Sequence, residues 1–219
     1  MTIDVPGHAD PLRPGKLLCI GRNYAGHAAE MKSDAPDEPM AFLKPSTALV
    51  RGGGAVALPP QSEEVHHEVE GVAVVGTGGK NISEEDALGH VAGYAAGLDM
   101  TARDLQRGAK ERRHPWSVAK GFDTFAPLGP IVPAEEAGPD MQDTAIRLSV
   151  NGETRQNGHT RHMIFSVAQL VAYCSGIFTL EAGDLIYTGT PEGVGPVEDG
   201  DQLEATVEGL PPLRVEVRR

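Results

Sequence analysis

The sequence predicts a mostly β protein of the α+β class, with a mixed sheet and few helices in one domain. Glycine supplies 27 and proline 17 of the 219 residues, and they divide the chain into many short apolar runs. Short apolar runs bounded by glycine and proline are typical of strands. Only one segment carries a clear helical pattern, so few helices are expected.

The first hundred residues are expected to form short strands joined by turns. Residues 1–15 are predicted to be an irregular lead-in to a single domain over 16–219. The strands are predicted at 16–20, 41–43, 55–58, 65–75 and 90–100, with one or two helical turns at 23–31 and a proline-broken loop at 33–39. Ser83, followed by three acidic residues, predicts a helix N-terminus, with the helix reaching Leu88.

The second half of the chain contains the clearest local signals. Asn151-Gly152 lies between two β runs, and this dipeptide favours a tight hairpin. Ser166 is a good N-cap for an apolar helix that is predicted to end at Gly176. The other predicted elements are a short helix at 101–107, a basic exposed turn at 110–113, hairpin strands at 145–150 and 153–156, a helix at 166–174, and strands at 184–187, 202–207 and 213–217.

Charge and composition argue against several classes of protein. Lys and Arg number 19 against 31 Asp and Glu, and the net charge of −12 disfavours nucleic acid as the main partner. No stretch reaches the ~20 apolar residues of a membrane span, and no signal-peptide pattern opens the chain. The two cysteines, Cys19 and Cys174, are too few for a disulfide framework, so a reduced, cytoplasmic protein is expected.

Three acidic residues form the first candidate site. Glu68 and Glu70 are two residues apart, so on a strand both carboxylates point to one face. Asp99 ends an apolar stretch, where an unpaired charge would be costly. Three carboxylates without a cysteine suit a hard divalent ion such as Mg²⁺ or Mn²⁺. The pattern is also compatible with a solvated strand face and an aspartate that caps a helix.

Further candidates are a base and a set of cations. His27 and Glu30 are neighbours if their segment is helical, and such a pair can deprotonate water, although a simple surface contact has the same spacing. Positive or polar groups that could surround an anionic ligand, or could be ordinary surface residues, are Arg22, Lys44, Arg103, Gln106 and Lys120. The glycine-rich loop at 188–195 could present backbone N–H groups and the Thr190 hydroxyl to a carboxylate, or could be a plain turn.

The motifs together resemble a known family. In order along the chain they are Gly21-Arg22-Asn23-Tyr24, His27 with Glu30, Phe42-Leu43-Lys44-Pro45, His66-His67-Glu68-Val69-Glu70, Asp99-Met100-Thr101-Ala102-Arg103-Asp104-Leu105-Gln106, Lys120-Gly121-Phe122-Asp123 and Thr188-Gly189-Thr190-Pro191. From about Lys16 to Val217 the chain resembles the fumarylacetoacetate hydrolase family. It is most similar to the short, single-domain members that act as acylpyruvate hydrolases and oxaloacetate decarboxylases.

The resemblance implies a fold, a cofactor and a role for each motif. The fold would be the family's mixed β-sandwich roll with short peripheral helices, in a homodimer. By motif position, Glu68, Glu70 and Asp99 would bind Mg²⁺ or Mn²⁺, and His27 with Glu30 would activate water on a lid. Lys120 would stabilise developing negative charge, and the groups around the substrate would be Arg22, Lys44, Arg103, Gln106, Gly189 and Thr190.

The resemblance implies a small 2-oxo or 2,4-dioxo acid as substrate. The leading hypothesis is metal-dependent hydrolysis of the C3–C4 bond of an acylpyruvate, which gives pyruvate and a carboxylic acid. It is favoured by the intact pair of His27 and Glu30, which decarboxylation does not obviously need. The alternatives are decarboxylation of oxaloacetate, isomerisation of a 2-hydroxymuconate or hydroxyheptadienedioate type of compound, and, outside enzymology, a binding module.

Overall fold

The computed structural model describes residues 1–30, 36–138 and 140–219, and these residues form three β-sheets and four α-helices. The strands are β1 (Leu17–Gly21), β2 (Met40–Lys44), β3 (Leu49–Arg51), β4 (Ala55–Ala57), β5 (Val65–His67), β6 (Val69–Val75), β7 (Val91–Leu98), β8 (Thr101–Ala102), β9 (Ala126–Leu128), β10 (Val132–Pro133), β11 (Ala145–Val150), β12 (Glu153–His159), β13 (Leu185–Tyr187), β14 (Gly195–Pro196), β15 (Gln202–Val207) and β16 (Leu213–Arg218). The helices are α1 (Ala25–Glu30), α2 (Arg103–Arg112), α3 (Ser117–Lys120) and α4 (Val167–Ile177), with 3₁₀ turns at Ser46–Ala48, Ala87–His90 and Thr160–His162.

The sheets confirm the predicted fold class. The largest sheet has the order β2-β1-β13-β6-β7-β9-β3, with β10 also paired to β7. It is mixed, because β1 runs parallel to β13 while β13, β6 and β7 are antiparallel. A five-stranded sheet has the order β12-β11-β15-β16-β4, and a small sheet has the order β14-β5-β8. The chain is therefore mostly β, with few short helices.

The central strands of the large sheet are buried on both faces, which explains their continuous apolar sequences. All seven residues of β6 are buried, and side chains of one strand alternate between two hydrophobic clusters. Val69 and Ala73 join a cluster shared with β11 and β15 of the five-stranded sheet, whereas Val72 and Val74 join a second cluster on the other face. This packing fixes the polar groups that lie at the ends of β6 and β7.

The lead-in packs against the rest of the chain. Ile3 forms a bridge with Leu12, and both Ile3 and Val5 are buried in the second cluster. The division into residues 1–15 and a domain over 16–219 remains a prediction. Met31, at the end of the predicted helical turns, and positions 33–35 of the predicted loop lie outside the described residues.

The strand predicted over 65–75 is two strands, and the break has a structural reason. β5 pairs with β8 and β14 in the small sheet, whereas β6 pairs with β7 and β13 in the large one. Glu68, between them, belongs to neither strand, and its carbonyl accepts a 2.9 Å hydrogen bond from the Asp99 N–H. The chain changes sheets at Glu68, which sets this residue beside Asp99.

One predicted helix and one predicted turn were wrong. Ser83 caps only a turn, in which its hydroxyl accepts from the Asp86 N–H, and the regular structure that follows is the 3₁₀ turn Ala87–His90. The basic turn predicted at 110–113 is instead the end of α2, which stops where Arg113 adopts a left-handed backbone with φ 57°. Positive side chains in the last turn suit the negative end of the helix dipole, which explains the basic run.

The strongest local signals gave the expected structures. Asn151 and Gly152 both have positive φ, 52° and 81°, as a tight hairpin turn between β11 and β12 requires. Ser166 caps α4 in a capping box with Gln169, and α4 continues through Gly176 to Ile177 rather than ending at the glycine.

Cys19 and Cys174 are free and buried. Among the described residues, no helix has the length and apolar character that crossing a membrane requires.

Candidate active site

The three acidic side chains of the predicted metal site converge where the small sheet meets the large one. Glu68 lies between β5 and β6, Glu70 is the second residue of β6, and Asp99 follows β7. One oxygen atom from each carboxylate lies within 4.8 Å of the others, and all three residues are buried. The reversal of the chain between β6 and β7 thus brings together groups that are up to 31 positions apart in the sequence.

Three buried cations balance these carboxylates. Lys120 Nζ donates to Glu68 Oε2 at 2.8 Å and to Asp99 Oδ2 at 2.6 Å. Arg103 Nη2 donates to Glu68 Oε1 at 2.5 Å, and Lys44 Nζ lies 2.5 Å from Asp99 Oδ1. Glu68 and Asp99 therefore each have opposite charges in contact, which is the condition for keeping a charge in a low-dielectric interior. The Glu70 carboxylate, in contrast, accepts only from the Gly189 N–H among the described residues.

The positive charge is distributed unevenly among the three carboxylates, and their pKa values differ accordingly. Burial raises the pKa of Glu70 well above its usual value, and the carboxylates of Asp99 and Glu68 raise it further. Burial acts on Glu68 in the same direction, but Lys120 and Arg103 outweigh it and hold the pKa of Glu68 below its usual value. Additional positive charge beside Glu70 would favour full ionisation of the cluster.

The residues present fit a hard divalent cation. Asp99 Oδ1 is buried and accepts no hydrogen bond among the described residues, although Lys44 Nζ lies 2.5 Å from it. The three carboxylates each offer one oxygen within 4.8 Å of the others, and this donor set consists of oxygen alone. Oxygen ligands of this kind suit Mg²⁺ and Mn²⁺.

The predicted base lies beside the carboxylates. On α1, His27 Nδ1 donates to Glu30 Oε2 at 3.2 Å, and the His27 side chain is buried. The Gly193 N–H donates to both Glu30 oxygens, at 3.2 and 3.3 Å, so the loop after β13 holds this carboxylate. Gly26 permits the contact between helix and loop, since a Cβ there would lie 2.4 Å from the Glu192 carboxylate.

A cavity joins His27 to two of the carboxylates, those of Glu68 and Glu70. The predicted site residues that line it are His27, Glu68, Glu70, Lys120, Arg22, Arg103, Gln106 and Thr190. Lys44 is placed elsewhere: its ammonium lies against Asp99 and donates to the carbonyls of Met100 and Phe125. Gly189 contributes through its backbone, because its N–H donates to Glu70 Oε2 at 2.7 Å.

Several residues of the site were missed in the sequence. The apolar wall of the cavity contains Ile20, Met40, Phe42 and Trp116, and Lys110 lies at its exposed mouth. Lys110 was expected only to be part of a surface turn. The spacing of Arg103, Gln106 and Lys110 on a longer helix was the available signal, since positions i, i+3 and i+7 share a face.

Gln156 on β12 is the other missed residue. Its Oε1 accepts from the Val69 N–H and from His67 Nδ1, both at 3.0 Å. Its Nε2 donates to Thr190 Oγ1 at 2.8 Å and to the Pro191 carbonyl at 2.9 Å. One buried amide from the five-stranded sheet thus positions both β6 and the cavity loop.

Comparisons with known proteins identify the family. The model of the fumarylacetoacetate (FAA) hydrolase C-terminal family matches residues 16–218. The chain belongs to this family, as its motifs predicted. The mitochondrial oxaloacetate tautomerase FAHD1 of Bos taurus is 46% identical over 203 residues, which cover 93% of this chain and 91% of that protein.

Two solved structures extend the comparison. The crystal structure of fumarylpyruvate hydrolase from Pseudomonas aeruginosa, in complex with Mn²⁺ and pyruvate, matches with a TM-score of 0.93 and 43% identity, over 100% of this chain and 95% of that one. The 2-hydroxyhepta-2,4-diene-1,7-dioate isomerase of Mycobacterium marinum matches with a TM-score of 0.85 and 39% identity, over 95% of this chain and 76% of that one. This chain is therefore an enzyme of the family, and its cofactor is a divalent metal ion.

Proposed function

We propose that this protein hydrolyses the C3–C4 bond of 2,4-dioxo acids, giving pyruvate and a carboxylic acid. The observation that carries the proposal is that His27, which pairs with Glu30, lines the same cavity as Glu68 and Glu70, two of the three clustered carboxylates. A hydrolase needs a base for water beside the group that holds the 2-oxo acid. The mixed wall of cations and apolar side chains suits a small anionic substrate.

The metal would be held by Glu68, Glu70 and Asp99, which fit Mg²⁺ or Mn²⁺. When bound, the ion supplies Lewis acidity to the 2-oxo acid end of the substrate. The ion pair with Arg103 favours the ionised form of Glu68. Lys44, which does not line the cavity, forms an ion pair with Asp99. We infer that Lys44 orients a metal ligand and does not touch the substrate. Arg22, Gln106 and Thr190 would bind and orient the substrate itself.

His27 and Glu30 would carry out the proton transfers. With Nδ1 donating to Glu30, the other ring nitrogen of His27 is left to accept a proton from water. The resulting hydroxide attacks the C4 carbonyl, and Lys120 offsets the charge that forms on its oxygen. The C3–C4 bond then breaks with its electron pair moving to the pyruvate fragment, which takes a proton at C3. The other fragment leaves as a carboxylic acid.

The experiment is turnover of acetylpyruvate with Mg²⁺ or Mn²⁺, followed by the release of pyruvate. We expect turnover by the wild type and a loss of about 10²-fold or more in kcat for His27→Ala, since a positioned base contributes about that much. Exposed His162→Ala, outside the cavity, is the matched control and should keep full activity. Absence of pyruvate with both metals would contradict the proposal.

A second candidate is a reaction of oxaloacetate. It is supported by the relative that is named an oxaloacetate tautomerase, at 46% identity, and by an oxaloacetate decarboxylase of Dictyostelium discoideum at 44% identity. Decarboxylation needs no attacking water, so CO₂ release should survive His27→Ala better than hydrolysis does. Isomerisation without C–C cleavage is the third candidate reaction. A change in the absorbance of a 2-hydroxymuconate, without release of pyruvate, would support it.

We also propose that the enzyme is a homodimer that acts in the cytoplasm. The dimer is an expectation from the family, and the location is an expectation from the two reduced, buried cysteines. Light scattering on the purified protein should give twice the mass of one chain.

A further inference from the structure

A chain of hydrogen-bonded side chains leads from the protein surface to the Glu68 carboxylate. From the outside inward its members are Arg107, Glu64, His66 and Arg103. Exposure falls along the chain, because Arg107 is exposed, Glu64 and His66 are partly buried, and Arg103 is buried. The proposed reaction gives no role to the outer three residues, although their contacts end at a group that is proposed to hold the metal ion.

The inner end of the chain is the guanidinium of Arg103. Its Nη2 donates to Glu68 Oε1 at 2.5 Å, and its Nη1 donates to Gln106 Oε1 at 2.7 Å. The Thr101 hydroxyl donates to the same Glu68 oxygen at 3.1 Å. The remaining nitrogen of Arg103, Nε, donates to His66 Nδ1 at 3.4 Å. A planar guanidinium with all three nitrogens engaged is held in one orientation, so His66 contributes to the way in which Arg103 meets Glu68.

The next contact fixes the tautomer of His66. Arg103 Nε carries a hydrogen and can only donate, so Nδ1 of His66 accepts, and the proton of the neutral ring lies on Nε2. His66 Nε2 donates to Glu64 Oε1 at 2.9 Å. A carboxylate that accepts from one ring nitrogen determines which tautomer is present and how the ring is oriented. Glu64 therefore selects the form of His66 that accepts from Arg103.

Glu64 is itself attached to α2 through both its side chain and its backbone. Its carboxylate oxygens accept from Arg107, with Nη1 at 3.1 Å from Oε1 and Nη2 at 2.6 Å from Oε2. Its carbonyl accepts from the Arg103 N–H at 2.7 Å, and the N–H of the preceding Glu63 donates to Asp104 at 2.9 Å. The segment before β5 and the first turns of α2 are therefore held in one arrangement, with Glu64 at its centre.

We propose that Glu64 and His66 are positioning residues for the metal centre: Glu64 orients His66, and His66 orients the Arg103 guanidinium that holds the Glu68 carboxylate. They act through Arg103 rather than on the ion, and the inference holds for any of the candidate reactions. Residues that orient the groups around a metal ligand change metal affinity or activity by about 10- to 100-fold. The pair of Glu64 with Arg107 is exposed, and exposed pairs contribute little by themselves, so the largest effects are expected at Glu64 and His66.

The test measures the binding of Mn²⁺ to the full-length, metal-free protein by calorimetry. Glu64→Ala should weaken binding by about tenfold, because the His66 ring is then no longer held in one tautomer and orientation. Glu64→Gln should bind Mn²⁺ nearly as the wild type does, because its amide oxygen can still accept from His66 Nε2. Glu63→Ala is the matched control: it removes the same charge from the neighbouring, exposed side chain and should leave the dissociation constant unchanged.

These controls separate positioning from charge. If Glu64→Gln or Glu63→Ala weakened Mn²⁺ binding as much as Glu64→Ala did, the loss of negative charge would explain the result and the inference would be wrong. Binding of Mn²⁺ to Glu64→Ala at the wild-type affinity would overturn the inference as well.

Substitution of His66 tests the inner contact. His66→Leu removes the acceptor for Arg103 and should weaken Mn²⁺ binding at least as much as Glu64→Ala does. His66→Asn places an amide oxygen near the position of Nδ1 and should recover part of the affinity. The Tm of each metal-free variant is measured in parallel, because a purely structural role would lower Tm and leave Mn²⁺ binding by the folded protein unchanged. Wild-type affinity in His66→Leu, or equal losses in the leucine and asparagine variants, would refute the role of this contact.

Discussion

Gln156 and His67 show how single polar residues hold this site together. The Gln156 amide uses both its oxygen and its nitrogen inside the protein, and a buried polar group left unpaired costs about 1–3 kcal/mol. Its partners His67 and Thr190 lie 89 and 34 positions away in the sequence. The bond to Gln156 Oε1 fixes the orientation of the His67 ring, with a proton on Nδ1.

We expect His67→Leu to flatten the pH dependence of stability between about pH 4 and 6.5. Burial lowers the pKa of His67 to about 4, although the hydrogen bond to Gln156 opposes this shift. The unfolded chain, with a histidine pKa of ~6.5, binds more protons than the folded chain across this range. The contribution of His67 is therefore fully present above pH 6.5 and is lost as the pH falls towards 4.

Urea unfolding at several pH values measures this effect. The quantity compared is the slope of the unfolding free energy against pH, since the substitution also removes a hydrogen bond at every pH. His114→Leu is the control, because His114 is exposed, and it should leave the slope unchanged. A wild-type slope in His67→Leu would show that His67 is not kept neutral by burial.

At the scale of elements, the loop between β13 and β14 connects the parts of the site. Gly189 donates its N–H to Glu70, Thr190 lines the cavity, and the Gly193 N–H holds Glu30 of α1. Gly189 has φ 98°, and a Cβ there would lie 2.6 Å from Asn23 Cβ. Backbone freedom and close approach both require glycine at this position.

Gly189→Ala should therefore lower stability and activity more than Gly200→Ala does. Gly200 also has a positive φ, 89°, but nothing lies within 4 Å of a Cβ placed there, so alanine meets only the backbone strain of about 1–3 kcal/mol. At Gly189 the clash with Asn23 adds to that strain and displaces the donor to Glu70. Thermal unfolding and kcat/KM measure the two effects, and equal losses in both variants would refute the role of the close contact.

At the scale of the whole molecule, charge is distributed unevenly. The chain carries a net charge of −12, yet Arg22, Arg103, Lys110 and Lys120 line one cavity. Lys44, Arg103 and Lys120 form ion pairs with Glu68 and Asp99, two of the three buried carboxylates. We therefore expect folding not to depend on the metal, unlike in small domains that metal ions hold together.

Treatment with a chelator should abolish activity and leave the protein folded. We expect the far-UV circular dichroism spectrum and a cooperative thermal transition to persist, because Lys44, Lys120 and Arg103 pair with Glu68 and Asp99 and the raised pKa of Glu70 favours its neutral form. Added Mn²⁺ should restore activity and raise Tm by preferential binding to the folded state. Glu70→Gln is the matched variant, in which Mn²⁺ should raise Tm much less. Unfolding of the protein on chelation would show that these three cations do not stabilise the buried carboxylates without the metal.

Much of this protein could be predicted from the sequence because the signals are local. Asn151-Gly152 specifies its own turn, and Ser166 caps its own helix. The ordered motifs identified the family and its divalent metal. These features depend on residues within a few positions of one another, or on motifs that the chain keeps in order.

Only the tertiary structure decided which distant groups meet. The change of sheets at Glu68, the position of Lys44 behind Asp99, the reach of Gln156 into the cavity loop and the presence of Lys110 at the cavity mouth all depend on how the sheets and α2 pack. Local preference carries no information about such contacts, because each is fixed by the burial of apolar faces elsewhere in the chain. The sequence by itself determined the chemistry of the side chains, and packing determined which of them act together.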